Sequence, residues 1–224
     1  MFDGHWRSSF EKGLKPVGTS LSRTGITADH LTAAGVVLAV AASVALANGA
    51  LRGGLLLLAL CAVPDLLDGA VAKASGTASL RGAFFDSVAD RVTDALLLGG
   101  VAWYLAGAEG GRIAVLPLAV LGASMLISYE RAKAESLGFQ ARGGLMERAE
   151  RILLLGFGLL FDTLLVPVLW VMLVLTLVTA GQRFAMVWRQ AGAVRPAPSV
   201  TRWQARRAAR PARRALTRQS RLRR

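Results

Sequence analysis

The stretch from Asp65 to Asp90, DLLDGAVAKASGTASLRGAFFDSVAD, decides how the rest of this sequence is interpreted. Four carboxylates lie within or at the edge of segments that are otherwise apolar enough to cross a membrane: Asp65, Asp68, Asp86 and Asp90. An ionisable side chain in such a segment is energetically costly and therefore points to function. Two acid pairs on adjacent segments, with glycines between them, favour a metal site over four unrelated carboxylates.

The composition is typical of an integral membrane protein with basic flanks. The chain has 224 residues, of which 54% are hydrophobic, and a formal net charge of +13. Soluble domains rarely combine such values. Eleven arginines and no acidic residue lie in residues 195–224, so the remainder of the chain is nearly neutral. The single cysteine, Cys61, excludes an intramolecular disulfide framework.

Six apolar segments predict an all-α integral membrane protein with six transmembrane helices. The segments cover approximately residues 29–48, 52–73, 83–106, 113–134, 146–162 and 164–188. A helix needs about 20 residues to cross the bilayer core at about 1.5 Å per residue. Residues 1–25 carry an apolar side chain at every fourth position among basic residues, which predicts an amphipathic helix in the membrane interface. A soluble helix packed on the body is the alternative.

The distribution of Lys and Arg predicts the orientation in the cell membrane. Of the 27 basic residues, 24 lie in segments that six spans would place on one side. We therefore expect both termini and the acidic stretch to face the cytoplasm.

The last part of the chain is rich in Arg, Pro and small residues, which predicts a disordered tail over residues 191–224. The favoured role is attachment to anionic lipid, at ~1 kcal/mol per basic residue near the surface. Nucleic-acid binding is the alternative, and nothing elsewhere in the sequence supports it. The predicted organisation is thus a juxtamembrane helix (1–25), a six-helix domain (26–190) and a basic tail (191–224).

The spacing of the acids places the members of each pair on one helix face. Asp65 and Asp68 are three residues apart, and Asp86 and Asp90 are four apart. Oxygen ligands without His or Cys select Mg²⁺ or Mn²⁺ rather than zinc. Four carboxylates exceed the needs of one Mg²⁺ and suit a two-metal site for displacement at phosphorus.

The residues between the two pairs supply groups suited to a phosphorylated ligand. Gly69 leaves room for a close approach, and Lys73 supplies a cation one turn later. The hydroxyl of Ser79 is a further donor. The alternative is an ion-pair network in which Lys73, Arg81 and Arg91 neutralise the acids without a metal.

These residues carry a family resemblance. The pattern D-x2-D-G-x2-A-K-x8-G-x3-D-x3-D, from Asp65 to Asp90, closely resembles the CDP-alcohol phosphotransferase signature, in which Arg usually stands at the position of Lys73. The resemblance implies transfer of a phosphatidyl group from CDP-diacylglycerol to an alcohol, with release of CMP. It also implies that Asp65, Asp68 and Asp86 bind two Mg²⁺ or Mn²⁺ ions, and that Asp90 both contacts a metal and acts as general base on the acceptor hydroxyl.

The segment ITADHLT, residues 26–32, resembles the part of the family that precedes the first helix. Six residues are then expected to bind CDP-diacylglycerol: Asp29, Thr32, Asp65, Gly69, Lys73 and Ser79. The alternative for Asp29 is a helix N-cap. Asp94, one turn beyond Asp90, is expected either to support the site from outside or to be a capped polar neighbour.

The acceptor is predicted from basic residues on the same side as the acids, because an acceptor that carries a phosphate requires cations. SYERAKAE, GGLMERAER and TAGQR look like the corresponding segments of actinobacterial phosphatidylinositol phosphate synthases. This implies that Arg131, Arg151 and Arg183 bind the phosphate of 1D-myo-inositol 3-phosphate, and that the protein is a homodimer. The chain lacks the proline expected at Ala149, and SYERAKAE has Arg before Lys rather than the reverse.

Two alternatives remain open from the sequence. Glycerol 3-phosphate is the nearest alternative acceptor and would make the protein a phosphatidylglycerophosphate synthase. A non-catalytic membrane scaffold or an ion transporter belongs to a different class. A transporter would distribute its ionisable groups over several helices near the middle of the membrane, whereas here they cluster towards one face.

Overall fold

The computed structural model describes residues 27–75, 79–141 and 143–193, with side chains throughout except at 65–75, 109 and 110. Within this part of the chain the secondary structure is helical, without strands. The helices are α1 (Ala28–Ala47), α2 (Leu51–Ser75), α3 (Leu80–Leu105), α4 (Val115–Ser136), α5 (Arg148–Leu160) and α6 (Leu165–Ala193). A π-helical turn, Ala106–Gly110, follows α3, and a 3-10 turn, Asp162–Leu164, precedes α6.

Each predicted apolar segment corresponds to one helix, so the all-α prediction is confirmed. Helix α5 has only 13 residues, about 20 Å at 1.5 Å per residue, which is less than a ~30 Å hydrocarbon core. Among the described residues, three helical segments are long and apolar enough to span a membrane: Ala28–Ala47, Val115–Ser136 and Asp162–Ala193. A membrane protein is thus supported, whereas the number of six spans stays a prediction.

The predictions for the two ends of the chain concern residues outside the described ones. This applies to the interfacial helix at residues 1–25 and to the tail from residue 194 onwards. Helix α6 continues to Ala193, three residues past the predicted end of the helical domain. Its last residues, from Trp188, belong to a separate structural unit from the rest of the described helices.

Side-chain caps determine where α1 and α3 begin. Thr27 caps α1, because its hydroxyl accepts from the N–H of His30 at 3.3 Å while His30 Nδ1 accepts from the N–H of Thr27 at 3.4 Å. Ser79 caps α3 by accepting from the N–H of Gly82 at 3.0 Å. Asp29 therefore lies in the first turn of α1, and the interpretation of Asp29 as the N-cap is wrong.

Helix α1 packs closely against both α2 and α3. At Gly100 of α3, an added Cβ would lie 2.6 Å from the carbonyl oxygen of Ser43, so only glycine permits this approach. The core between the helices is aliphatic and includes Leu46, Leu97, Val101, Leu169 and Met172. Large apolar side chains such as Trp103, Leu153 and Trp170 are exposed on the outside, as expected for a surface in contact with lipid.

Candidate active site

A cleft opens where α1, α2, α3 and α5 converge. It is small and open to solvent, since the space of about 260 Å³ between its walls includes the solvent at its mouth. Thr32 contributes from α1, Pro64 from α2, Asp86 and Asp90 from α3, and Arg148 from α5. Polar groups from several helices thus face one opening.

The predicted acid pair of α3 lies in this cleft. Asp86 and Asp90 are separated by one turn of α3, and both line the opening, as their spacing predicts. The other acid pair follows a cleft residue along α2. Asp65 comes directly after the cleft residue Pro64, and Asp68 comes one turn later. At Asp65, Asp68, Gly69 and Lys73 the structure describes only the helical backbone, so the contacts of these residues stay predictions.

The carboxylate of Asp90 is held by two guanidinium groups. Its Oδ1 lies 2.9 Å from Nη1 of Arg148, and its Oδ2 lies 3.4 Å from Nη2 of Arg91. Arg91 also donates to the hydroxyl of Ser128 on α4. Asp90 nevertheless keeps 21% of its side chain exposed. A carboxylate that is anchored and still reaches the cleft can contact a ligand in a defined orientation.

Asp94 has a different environment one turn deeper. Its side chain is only 8% exposed and its Oδ2 lies 3.1 Å from Nη2 of the equally buried Arg151. Its Oδ1 lies 3.7 Å from Nε of Arg148. Asp94 is therefore the buried counterion of two arginines on α5, and it is not among the residues that line the cleft.

Arg148 is the cleft residue that sequence reasoning missed as a site residue. It links the two carboxylates, because it contacts both Asp90 and Asp94. A signal was present in the motif ERAER, since Arg148 and Arg151 are three residues apart and share one face of α5. The proposed ion-pair network contained Arg91, which does contact Asp90, but it omitted Arg148, the cation at the shorter distance.

Three of the six residues predicted to bind CDP-diacylglycerol, namely Asp29, Thr32 and Ser79, lie in or next to the N-terminal parts of α1 and α3. An added Cβ at Gly82 would lie 3.3 Å from Oγ of Ser79 and 3.5 Å from Oδ1 of Asp29, so the side chains of Ser79 and Asp29 both adjoin this glycine. Thr32, one turn along α1, lines the cleft and donates to the carbonyl of Ala28 at 3.1 Å. Three of the six predicted residues thus occupy neighbouring positions in the fold.

The three arginines predicted to bind the acceptor phosphate have unequal environments. Arg131 is exposed and pairs with Glu135 at 3.1 Å. Arg151 and Arg183 are buried, with 5% and 4% exposure. Arg151 donates to the carbonyl of Met146 at 3.4 Å, so it contacts the loop that precedes its own helix.

Arg183 contacts both sides of the connection between α4 and α5. Its Nε donates to the carbonyl of Gly143 at 3.0 Å, and its Nη1 donates to the carbonyl of Ile127 at 3.2 Å. Its Nη2 lies 3.4 Å from Oε1 of Glu147. Arg151 and Arg183 therefore both hold this loop in place, a structural role that the sequence did not predict.

The donor set of the cleft fits a hard divalent cation. Asp86 and Asp90 offer carboxylate oxygens on one side, and oxygen ligands suit Mg²⁺ and Mn²⁺. Among the described side chains no three acidic, His or Cys groups come together closely enough to hold a metal ion. Asp65 and Asp68, on the adjoining part of α2, are the carboxylates predicted to complete the ligand set.

Comparisons with known proteins agree with these features. The family model for CDP-alcohol phosphatidyltransferases matches residues 25–181. A phosphatidylinositol phosphate synthase from Mycobacteroides abscessus is 36% identical over 198 residues, which cover 84% of this chain and 89% of the relative. An archaetidylinositol phosphate synthase from Methanothermobacter thermautotrophicus is 36% identical over 174 residues, covering 75% of this chain and 86% of the relative.

Solved structures show the same similarity. The phosphatidylinositol phosphate synthase of Mycobacterium tuberculosis with CDP-DAG bound superposes with a TM-score of 0.75 at 30% identity, covering 82% of this chain and 98% of the other. The same enzyme in complex with manganese and citrate has a TM-score of 0.75 at 28% identity, covering 82% and 93%.

Proposed function

This chain belongs to the CDP-alcohol phosphatidyltransferase family, and from that premise we propose that it transfers the phosphatidyl group of CDP-diacylglycerol to 1D-myo-inositol 3-phosphate. The products are phosphatidylinositol phosphate and CMP. The observation that carries the proposal is the cleft in which Asp86 and Asp90 face the opening beside the basic residue Arg148. Carboxylates that can bind a metal ion and accept a proton thus lie beside an arginine at the N-terminal end of α5, and an arginine can bind the phosphate of an acceptor.

The relatives support both substrates. Two of them, from a bacterium and an archaeon, are named as synthases of inositol phosphate lipids. The structure of the mycobacterial enzyme with CDP-DAG supports the donor, and its complex with manganese supports a divalent metal cofactor. Mg²⁺ or Mn²⁺, two ions per site, would be held by Asp65, Asp68, Asp86 and Asp90. When bound, such ions neutralise the negative charge that develops on the transferred phosphoryl group.

Asp90 acts as the general base. The hydroxyl of the acceptor attacks the β-phosphorus of CDP-diacylglycerol, its proton passes to the carboxylate of Asp90, and the bond from the β-phosphorus to the CMP oxygen breaks. Arg148 and Arg91 contact the two oxygens of this carboxylate and so restrict its orientation. An oriented base lowers the entropic cost of reaching the reactive geometry.

The donor and the acceptor bind at opposite sides of Asp90. Asp29, Thr32 and Ser79 bind CDP-diacylglycerol together with Asp65, Gly69 and Lys73 of α2. Arg131, Arg151 and Arg183 bind the acceptor phosphate. Arg148 contacts Asp90 and also Asp94, the ion-pair partner of Arg151.

The cellular setting is a further part of the proposal. The enzyme is a multi-pass protein of the cell membrane with six spans, and its termini and active site face the cytoplasm, where CMP can leave. It is a homodimer, and its basic tail contacts anionic lipid.

The decisive experiment measures CMP release by the purified full-length protein with CDP-diacylglycerol and Mg²⁺ or Mn²⁺. Inositol phosphate, glycerol 3-phosphate, free inositol and serine are supplied one at a time. We expect release with inositol phosphate and little with the other three. Turnover with glycerol 3-phosphate instead would refute the acceptor, and no turnover with any acceptor would favour a scaffold or a transporter.

A further inference from the structure

The loop between α4 and α5, residues 137–147, is attached to α6 by hydrogen bonds between backbone groups of the loop and side chains of the helix. The N–H of Met146 donates to Oγ1 of Thr179 at 3.0 Å, and the carbonyl of Gly143 accepts from Arg183. Met146 and Thr179 are both fully buried. Water therefore cannot replace the hydroxyl as partner of the Met146 N–H, and an unpaired buried N–H is costly.

The hydroxyl of Thr179 has its proton committed elsewhere. It donates to the carbonyl of Leu175 at 2.8 Å, one turn earlier in α6, so it acts as an acceptor towards the loop. The backbone of Gly144 also lies against this residue, since an added Cβ there would come within 2.4 Å of the methyl group of Thr179. Gly144 further has φ of +137°, a conformation that favours glycine. The loop thus contacts both the hydroxyl and the methyl group of Thr179.

Met146 also connects this loop to the site through its carbonyl, which belongs to the next peptide unit. The carbonyl of Met146 accepts from Nη1 of Arg151 at 3.4 Å, while the other end of this guanidinium pairs with Asp94. Arg148 lies one turn earlier on α5 and reaches from Asp94 to Asp90. The position of Met146 therefore influences where the guanidinium of Arg151 lies.

We infer that Thr179 is a positioning residue for the acceptor side of the site. Its hydroxyl fixes Met146, and Met146 in turn fixes the guanidinium of Arg151. The two hydrogen bonds of the Thr179 hydroxyl go to Met146 and Leu175, and Thr179 is not among the residues that line the cleft. This inference rests on the proposed function in one respect, namely that Arg151 binds the phosphate of the acceptor.

Two variants of one residue separate its hydroxyl from its shape. Thr179→Val keeps the volume and removes the acceptor, whereas Thr179→Ser keeps the acceptor and removes the methyl group. We expect Thr179→Val to raise KM for inositol phosphate by about tenfold, as the loss of one buried hydrogen bond predicts. KM for CDP-diacylglycerol and kcat stay within about twofold, and Thr179→Ser retains the KM of the original protein.

Thr176 offers a matched control on the same helix. It lies three residues before Thr179, is also fully buried, and its hydroxyl has no hydrogen-bond partner among the described residues. Thr176→Val makes the same chemical change without disconnecting the loop. We therefore expect Thr176→Val to leave both KM values unchanged.

Hydrogen exchange of a peptide that contains Met146 provides a readout that does not depend on turnover. We expect faster exchange in Thr179→Val than in Thr179→Ser or Thr176→Val. If Thr179→Val does not fold, Gly144→Ala replaces it, because the added methyl displaces the loop from the opposite side.

Three results would overturn the inference: unchanged loop exchange in Thr179→Val, an unchanged acceptor KM in that variant, or an equal rise of KM in Thr176→Val. Failure of the original protein to use inositol phosphate would instead refute the proposed function. If the original protein uses another acceptor, the variants are compared by their KM for that acceptor. If it shows no turnover at all, hydrogen exchange at Met146 alone tests whether Thr179 holds the loop.

Discussion

Replacing Asp90 and Asp94 one at a time by Asn separates the chemistry of the site from the stability of the helix bundle. The two carboxylates lie one turn apart on α3, yet Asp90 reaches the open cleft and Asp94 is buried. Asp90→Asn leaves Arg148 beside Asp94 and Arg91 beside Ser128. We therefore expect CMP release to fall by about 10²–10⁴ on loss of the base, while CDP-diacylglycerol binding and the thermal midpoint change little.

Asp94→Asn should have the opposite effect on stability. Removing one partner of a buried ion pair costs about 3–5 kcal/mol, because the other charge stays buried without a counterion. Arg151 is such a charge, with a side chain only 6% exposed. The amide oxygen of Asn can still accept one hydrogen bond, so we expect the lower end, about 3 kcal/mol. For a chain of this size that corresponds to a midpoint lowered by on the order of 10 °C.

Both variants are assayed in the same detergent for CMP release, for CDP-diacylglycerol binding and for thermal unfolding. Asp162→Asn is the matched control, since Asp162 is an exposed carboxylate in the 3-10 turn before α6. It should change none of the three quantities. The reasoning is refuted if Asp90→Asn retains full turnover, or if Asp94→Asn unfolds at the same temperature as the control.

Three further predictions concern the donor side, the metal and the tail. Gly82→Ala places a methyl group 3.3 Å from Ser79 Oγ and 3.5 Å from Asp29 Oδ1. We expect a several-fold higher KM for CDP-diacylglycerol and an unchanged KM for the acceptor. An unchanged KM for CDP-diacylglycerol would exclude this region from the donor site. Chelation of divalent ions by EDTA should abolish CMP release, and Mg²⁺ or Mn²⁺ should restore it; activity that persists in excess chelator would contradict metal dependence. Deleting residues 195–224 removes eleven arginines and should lower binding to anionic vesicles in a sedimentation assay while turnover in detergent is retained, whereas lost turnover would show that the tail belongs to the site.

The sequence predicted the helices well because the length of an apolar run is a local property. The predicted helix over residues 29–48 corresponds to α1, Ala28–Ala47. The predicted helix over residues 113–134 corresponds to α4, Val115–Ser136. The fifth segment, residues 146–162, is the shortest of the six predicted ones, and helix α5 is shorter than it by two residues at each end. The shared face of Asp86 and Asp90 also follows from local geometry, since residues four apart on a helix point the same way.

The contacts that organise the site depend on tertiary structure. Arg151 and Asp94 are 57 residues apart in sequence, and Met146 and Thr179 are 33 apart. The spacing of residues within one helix predicts which of them share a face, but it does not predict how that helix is rotated relative to its neighbours. For this reason the acids of α3 could be predicted, whereas their pairing with Arg148 and Arg151 could not.

The chain by itself thus determined the class of fold and the spacing of the acids, because helix length and the positions of residues on one helix are encoded locally. The reaction followed from the resemblance of that acid pattern to a family signature. Only the packing of α3 and α5 made Asp94 a buried counterion and brought Arg148 to Asp90. Likewise, only the packing of α6 against the preceding loop turned Arg183 and Thr179 into supports of that loop. The physical reason is that an ion pair or hydrogen bond between helices requires a specific rotation and separation of both, which arise from burial of the whole core.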